Sequence, residues 1–359
     1  MWRKRLSLRI DSKLEVEFLV TLKDISKACG VSLATVSKAL NDASDISEAT
    51  ASKVKAKAKE MGYIPNSTAR ALKMNRSHNI GVLFVDNSAS GLTHEYFSTI
   101  LNSLKEEAEK MGYDVTFINK DIGHLNMNYY EHAIYRKCDG VVIASVDFKD
   151  PDVIQLVESD IPTVTLDYIF NNRTAVMSDN AKGMEEIINY VYSMGHRDIA
   201  LIHGEDTAVT QKRLASFYHA CDELNLDIPQ EYIIEADYHN PKNSALATRE
   251  LLKLTKRPTC ILYPDDYSFI GGKNELEAQG LKIYDDISVV GYDGIYLSQI
   301  LRPRLTTYKQ NAETMGRQSA TELIKLIEKP KSTLPVILYV DGEMLTGNTV
   351  KDLNKVRGE

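Results

Sequence analysis

Residues 21–41 read Thr-Leu-Lys-Asp-Ile-Ser-Lys-Ala-Cys-Gly-Val-Ser-Leu-Ala-Thr-Val-Ser-Lys-Ala-Leu-Asn. Two short helices joined by a tight turn account for this pattern. Thr21 can cap the first helix, with Asp24 three residues on as a capping box requires. Ile25 and Ala28 give that helix an apolar face, and Gly30 ends it. Ser32 caps the second helix, whose buried stripe is Val36, Ala39 and Leu40. Leu33, Ala34, Thr35, Ser37, Lys38 and Asn41 are left facing outward. Such small, hydroxylated and basic side chains suit entry into a DNA major groove, with phosphates at its edges. An ordinary helical hairpin in a small core is the plainer alternative. A third helix opens at Ile46-Ser47-Glu48, with Ser47 as cap and Glu48 at the positive helix end. Ala51, Val54, Ala58 and Met61 recur at helical spacing, Lys53, Lys55, Lys57 and Lys59 lie mostly around the other side, and Gly62 and Pro65 stop the helix.

At 359 residues the chain is too long for one typical domain. Its net charge of −7 looks wrong for a DNA binder until it is divided. Residues 1–80 carry +7 and the remainder −14, a basic head on an acidic body, so phosphate attracts one end and repels the other. The four cysteines, Cys29, Cys138, Cys221 and Cys260, are scattered and read as reduced thiols in a cytoplasmic protein. The eight histidines lack the spacing of a metal site, so neither a metal nor a cofactor is expected. No apolar run reaches transmembrane length, and no membrane partner is expected. Residues 1–20 are basic at their start and too charged later for a signal-peptide core; they read as a disordered extension or the product of an upstream start codon.

From Asn79 onward, apolar strands alternate with amphipathic helices, the mark of parallel sheets covered on both faces. The strands begin at Ile80–Val85 and run through Val115–Asn119, Gly140–Ala144, Thr163–Asp167, Ile199–Ile202, Tyr232–Glu235, Cys260–Tyr263 and Ile287–Val290. There are too many such units for one compact sheet, so two lobes are expected. Gly271-Gly272 sits inside a helical pattern and points to close packing, and His196, after a helix-stop glycine, reads as structural.

The stretch 21–41, followed by Gly-Tyr-Ile-Pro-Asn-Ser-Thr-Ala-Arg-Ala-Leu at 62–72, resembles the lactose-repressor (LacI) family of transcriptional regulators, and the resemblance runs over residues 21–347. It implies a small all-α helix-turn-helix head (21–65), a hinge helix and linker (66–78), and a two-lobed α/β body like a periplasmic binding protein (79–347), with a tail at 348–359. The chain would cross between lobes near Met177–Asp179, Thr307–Lys309 and Ser332–Leu334. The near lobe would hold residues 79–177 and 308–331, and the far lobe 178–307 and 332–347, the far lobe taking the strand Val336–Val340.

The resemblance also assigns roles. Leu33, Ala34 and Lys38 match groove-contacting positions, with Lys38 where Arg is commoner; Ser32, Thr35, Ser37 and Asn41 would hold phosphates. Asn66, Ala69, Arg70 and Leu72 belong to a hinge helix formed on the operator, where Leu72 would wedge into the minor groove. Paired hinge helices imply a homodimer on a pseudo-palindromic site. In the body, Arg213 lies in Thr-Gln-Lys-Arg-Leu-Ala-Ser-Phe (210–217), similar to the family's ligand-clamping segment. Thr210 precedes it, Tyr238 stands where the family stacks an aromatic on a sugar, and Tyr96 or Phe97 would line the floor. Asp293, in Val-Val-Gly-Tyr-Asp-Gly, is a family hallmark, with Gly294 where a second Asp is commoner. Asp266 would accept hydrogen bonds from sugar hydroxyls; its pairing with Asp265 also permits an acid–base reading. Asp167 ends a strand and is either a cleft residue or a solvated loop carboxylate. The loop 86–94 departs from the family's common form. Together these imply a carbohydrate-sensing, allosteric repressor with no enzymatic activity, controlled by a small sugar-like effector between the lobes. A purine- or phosphoprotein-dependent corepressor system and a sugar receptor without DNA function are the alternatives.

Overall fold

The computed structural model describes residues 20–41, 43, 45–64, 76–85 and 91–356. The chain divides into two compact units, Met1–Ser77 and His78–Glu359. In the first, the described residues form α1 (Leu22–Cys29), α2 (Leu33–Leu40) and α3 (Glu48–Glu60). Thr21 and Asp24 close a reciprocal capping box on α1. Gly30 takes φ 68°, a left-handed conformation that glycine adopts without a Cβ penalty, and so ends α1. Ser32 and Ser47 cap α2 and α3 through the backbone N–H of Thr35 and Thr50. Ile25, Cys29, Val36, Ala39, Val54 and Ala58 are buried together as the core. Ala28, expected on the inner face of α1, is exposed, and Cys29 takes that place one residue on. The hinge residues Asn66, Ala69, Arg70 and Leu72 lie outside the described residues, as do 1–19 and 86–90.

The second unit is built from two six-stranded sheets. The first lobe contains β1 (Asn79–Phe84), α4 (Glu95–Lys110), β2 (Asp114–Ile118), α5 (Tyr129–Tyr135), β3 (Gly140–Ser145), α6 (Pro151–Glu158), β4 (Thr163–Leu166) and β5 (Thr174–Ser178). The second contains α7 (Asn180–Ser193), β6 (Ile199–His203), α8 (Ala208–Glu223), β7 (Ile233–Glu235), α9 (Pro241–Lys253), β8 (Cys260–Leu262), α10 (Ser268–Ala278), β9 (Ser288–Asp293), α11 (Tyr296–Ile300) and β10 (Thr306–Lys309). The chain then returns through α12 (Ala312–Glu328) and β11 (Ile337–Val340) to the first lobe, and ends through β12 (Glu343–Leu345) and α13 (Leu353–Val356) on the second. The sheet orders are β11-β5-β4-β3-β1-β2 and β12-β10-β9-β8-β6-β7, parallel throughout except where β12 runs against β10. Each sheet buries apolar side chains on both faces, which explains why its strands read as unbroken hydrophobic runs.

Two expectations need correction. The strand at 336–340 does not join the far lobe: Ile337–Val340 pairs in parallel register with Ala175–Ser178 in the first sheet. Thr174–Ser178 is itself a fully buried strand, not merely a crossing, and gives β11 its neighbour in the first sheet. The third crossing therefore falls at Asp341–Gly342 and not at Ser332–Leu334. The tail is also part of the fold. The buried Thr349 hydroxyl donates to the Val289 carbonyl at 2.7 Å, and Leu353 N–H donates to the Met194 carbonyl at 2.8 Å.

Gly271 and Gly272 mark close packing, as their spacing suggested. A Cβ on Gly271 would stand 1.6 Å from the Pro241 carbonyl oxygen, so α9 and α10 meet through that missing methyl. His196 is buried between the Thr259 hydroxyl (2.9 Å) and the Lys351 carbonyl (3.1 Å), a structural position.

Candidate functional site

On the head, the outward face of α2 carries Ser32, Leu33, Ala34 and Lys38 exposed, with Asn41 exposed at its end and Thr35 and Ser37 half-buried. Leu33 is 52% exposed, an apolar side chain left in water at the start of a helix. The Ser32 and Thr35 hydroxyls meet at 2.8 Å, and Asn41 Nδ2 donates to the Ser37 carbonyl at 2.6 Å. Lys38 forms an ion pair with Asp45, whose carboxyl this hydrogen bond holds below the usual range. Lys53 Nζ donates to the Cys29 carbonyl at 3.2 Å, placing a cation at the negative end of α1.

In the body, strand ends and helix starts from both lobes converge. Asp167 follows β4 with φ 54°, and its Oδ1 accepts the Ser178 N–H at 2.7 Å. Burial pushes its carboxyl up to about 6, opposed by that hydrogen bond and by the charges of Arg213 and Lys212. Tyr96, on α4, is buried and donates to Gln310 Oε1 at 3.3 Å. Gln310 Nε2 donates to Asp293 Oδ1 at 2.7 Å. One glutamine in a crossing segment thus joins Tyr96 of one lobe to Asp293 of the other. Asp293 ends β9 with φ 102°. Burial, then the carboxylates of Asp265 and Asp167, raise its pKa, while Arg213 works against them.

Arg213 is buried on α8. Its Nε donates to Asn180 Oδ1 at 2.8 Å and its Nη1 to the Pro264 carbonyl at 2.9 Å. The guanidinium lies 3.5 Å from the Tyr292 ring centre and 5.6 Å from that of Tyr238. Thr210 is also buried, and its hydroxyl stands 3.0 Å from the Tyr238 hydroxyl. Tyr96, Asp167, Thr210, Arg213, Tyr238 and Asp293 therefore form one connected neighbourhood of carboxylates, aromatic rings and a guanidinium. Such a set can orient a small polyhydroxylated molecule. Beside it, a cavity of about 400 Å³ opens onto Tyr96, Asp293 and Gln310.

Two expected residues are engaged mainly by protein groups. Phe97 packs against Phe84, His94 and Tyr96, with ring centres 5.0 to 5.3 Å away, and lies half-buried against the first-lobe core. Asp266 is fully buried. Its Oδ1 accepts the Thr307 hydroxyl at 2.6 Å and its Oδ2 the Ile295 N–H at 3.0 Å. It ties β8 to β10 and to the loop after Asp293, and both of its oxygens are already engaged by protein donors. The neighbouring Asp265 accepts from Ser268 N–H, Ser268 Oγ and His239 N–H at 2.7 to 2.8 Å. The two carboxylates are held in separate hydrogen-bond networks. Sequence reasoning also missed Gln310, Asn180 and the ring stack of His94 on His239 (4.2 Å) and His239 on Tyr267 (4.0 Å), which spans the lobes. None of these positions carries a type-specific spacing.

Among the described residues, no group of His, Cys, Asp or Glu is placed to hold a metal, and no helix is long and apolar enough to cross a membrane.

Comparison with known proteins bears on both units. Residues 21–66 match the family described as bacterial regulatory proteins, lacI family. Residues 77–339 match periplasmic binding proteins and the sugar binding domain of the LacI family. The chain is 32% identical, over 93% of its length and 99% of the relative's, to the probable HTH-type transcriptional repressor ExuR of Bacillus subtilis strain 168. It is 29% identical to the HTH-type transcriptional repressor PurR of Vibrio campbellii, over 94% of this chain and all of the relative. Among solved structures, the lac repressor dimer bound to operator and the anti-inducer ONPF superposes with a TM-score of 0.78 at 25% identity, covering 93% of this chain and 100% of that one. The transcriptional regulator CelR–cellobiose complex superposes with a TM-score of 0.68 at 24% identity, covering 92% and 99%, a likeness of fold.

Proposed function

Because this chain is a DNA-binding transcriptional regulator of the LacI family, we propose that it is a cytoplasmic, non-enzymatic repressor. In this reading a homodimer occupies a pseudo-palindromic operator, and a small carbohydrate-like effector between the lobes controls that occupancy. The observation that carries the DNA reading is the outward face of α2, where Leu33, Ala34 and Lys38 stand exposed side by side. Leu33 and Ala34 offer apolar contact, as to a thymine methyl, and Lys38 a cation for a guanine edge. Ser32, Thr35, Ser37 and Asn41 hold phosphates and set register. Asn66, Ala69, Arg70 and Leu72 add operator contacts, with Leu72 entering the minor groove. The relative solved on its operator is a dimer, which supports two-fold symmetric binding here.

In the body, Arg213, Tyr238, Thr210, Asp167, Asp293 and Tyr96 receive the effector. Gln310 joins the two lobes through Tyr96 and Asp293, so a ligand there biases how the lobes close. Selection of binding sites from random duplexes tests the DNA half. The wild type is expected to enrich a two-fold symmetric consensus. Lys38→Arg is expected to strengthen the preference for guanine at one position of each half-site. An asymmetric consensus, or one unchanged by the substitution, would refute this assignment.

A further inference from the structure

Lys212 precedes Arg213 on α8, and the two cations are treated differently by the fold. Arg213 has acceptors in Asn180 and Pro264 and a ring beneath it. The Lys212 ammonium is buried, yet it has no hydrogen-bond partner among the described residues. It stands 5.7 Å from the ring centre of Tyr339, on β11 of the opposite lobe. Its charge also bears on Asp167, again across the lobes. Asp167 does not satisfy it: one of that carboxylate's oxygens is committed to the Ser178 N–H, and no hydrogen bond links it to Lys212. A tyrosine face attracts a cation but accepts none of its three N–H groups in the way an oxygen does. A buried ammonium in this condition is costly unless an acceptor arrives.

We propose that Lys212 selects an acidic effector, its ammonium receiving the carboxylate or phosphate group of a carbohydrate derivative bound between the lobes. This rests on the reading of the interlobe cleft as the effector site, and it names the charge class that the site takes. Arg213, Tyr238 and Thr210 orient the hydroxylated part of the ligand, while Lys212, reaching toward Asp167 and Tyr339, reads its charge. Occupation of Lys212 by an anion also ties α8 of one lobe to β11 of the other. An acidic ligand therefore favours lobe closure more than its neutral parent does.

Calorimetric titration of the full chain tests this, with glucuronate, galacturonate, glucose 6-phosphate and galactose 6-phosphate, each paired with its parent hexose. At least one acid is expected to bind about 10- to 100-fold tighter than its parent, the increment of a charge-assisted contact. Lys212→Met, which keeps the apolar stem, is expected to reduce that acid to the affinity of the hexose. Lys212→Arg is expected to keep most of the difference. Preference for the uronates or for the phosphate esters identifies which anion the site takes. If hexoses bind as tightly as acids, or Lys212→Met binds the acid like wild type, the role of Lys212 is overturned while the cleft remains a sugar site. If neither acids nor hexoses bind, the cleft reading falls together with it.

Discussion

Asp167→Asn isolates the cost of holding a charge in the cleft. Asparagine tolerates the left-handed backbone at φ 54°, and its amide oxygen can still accept the Ser178 N–H, so the local structure is retained. What changes is titration. The carboxyl sits near 6 in the folded chain against 3.8 in the open one, chiefly through burial. The folded state therefore binds this proton more tightly than the unfolded state does. The associated stabilisation is complete below pH 3.8 and is lost as pH rises through about 6. Full conversion of that shift gives about 3 kcal/mol at pH 8. Because Asp167 is only half-buried, solvent screening leaves about 1.5 kcal/mol. For a unit of this size that corresponds to about 3 °C in midpoint. Thermal unfolding of wild type and variant from about pH 3.5 to about pH 8 should show no difference at the acid end, with the variant gaining from about pH 4 to about pH 6 and keeping the gain above. The variant should also bind effector more weakly, since the charge that costs stability is the acceptor for ligand hydroxyls. A gain independent of pH, or a loss at pH 8, would refute the reasoning.

Gly271→Ala should destabilise the second lobe by about 3 kcal/mol in urea unfolding, because its methyl must displace the Pro241 backbone, which cannot swing aside. Asp45→Asn should release Lys38 and strengthen binding of the head to nonspecific duplex several-fold at low salt, with the gain vanishing at high salt in anisotropy titrations. Leu72→Ala should cost specific operator affinity far more than nonspecific affinity; equal losses in the same titrations would remove the wedge.

The parts of the fold legible in the sequence were those with local causes. Thr21, Gly30, Ser32 and Ser47 cap and stop helices by their own chemistry, and the helix-turn-helix followed from them. The alternation of buried strands and helices revealed two lobes, because a strand covered on both faces has an apolar signature of its own. Sheet membership has no local cause. Ile337–Val340 could be assigned only by knowing that β5 lay waiting at the edge of the first sheet. In the site, Arg213 and Asp293 stood out through their motifs, whereas Asp266 shares their chemistry but is turned inward to Thr307 and Ile295. Gln310 and Lys212 acquire meaning only from what the opposite lobe brings to them.

The central claim is ligand-controlled operator binding. Its most direct test is anisotropy titration of the purified chain on the DNA upstream of its own gene, with and without sugars, sugar acids, sugar phosphates and purines. Saturable binding that resists nonspecific competitor, with an affinity changed by one of these ligands in wild type but not in Arg213→Ala, is the predicted result. A fall in affinity would make that ligand an inducer, and a rise a corepressor. Binding that competitor DNA abolishes, whatever ligand is present, would contradict the account.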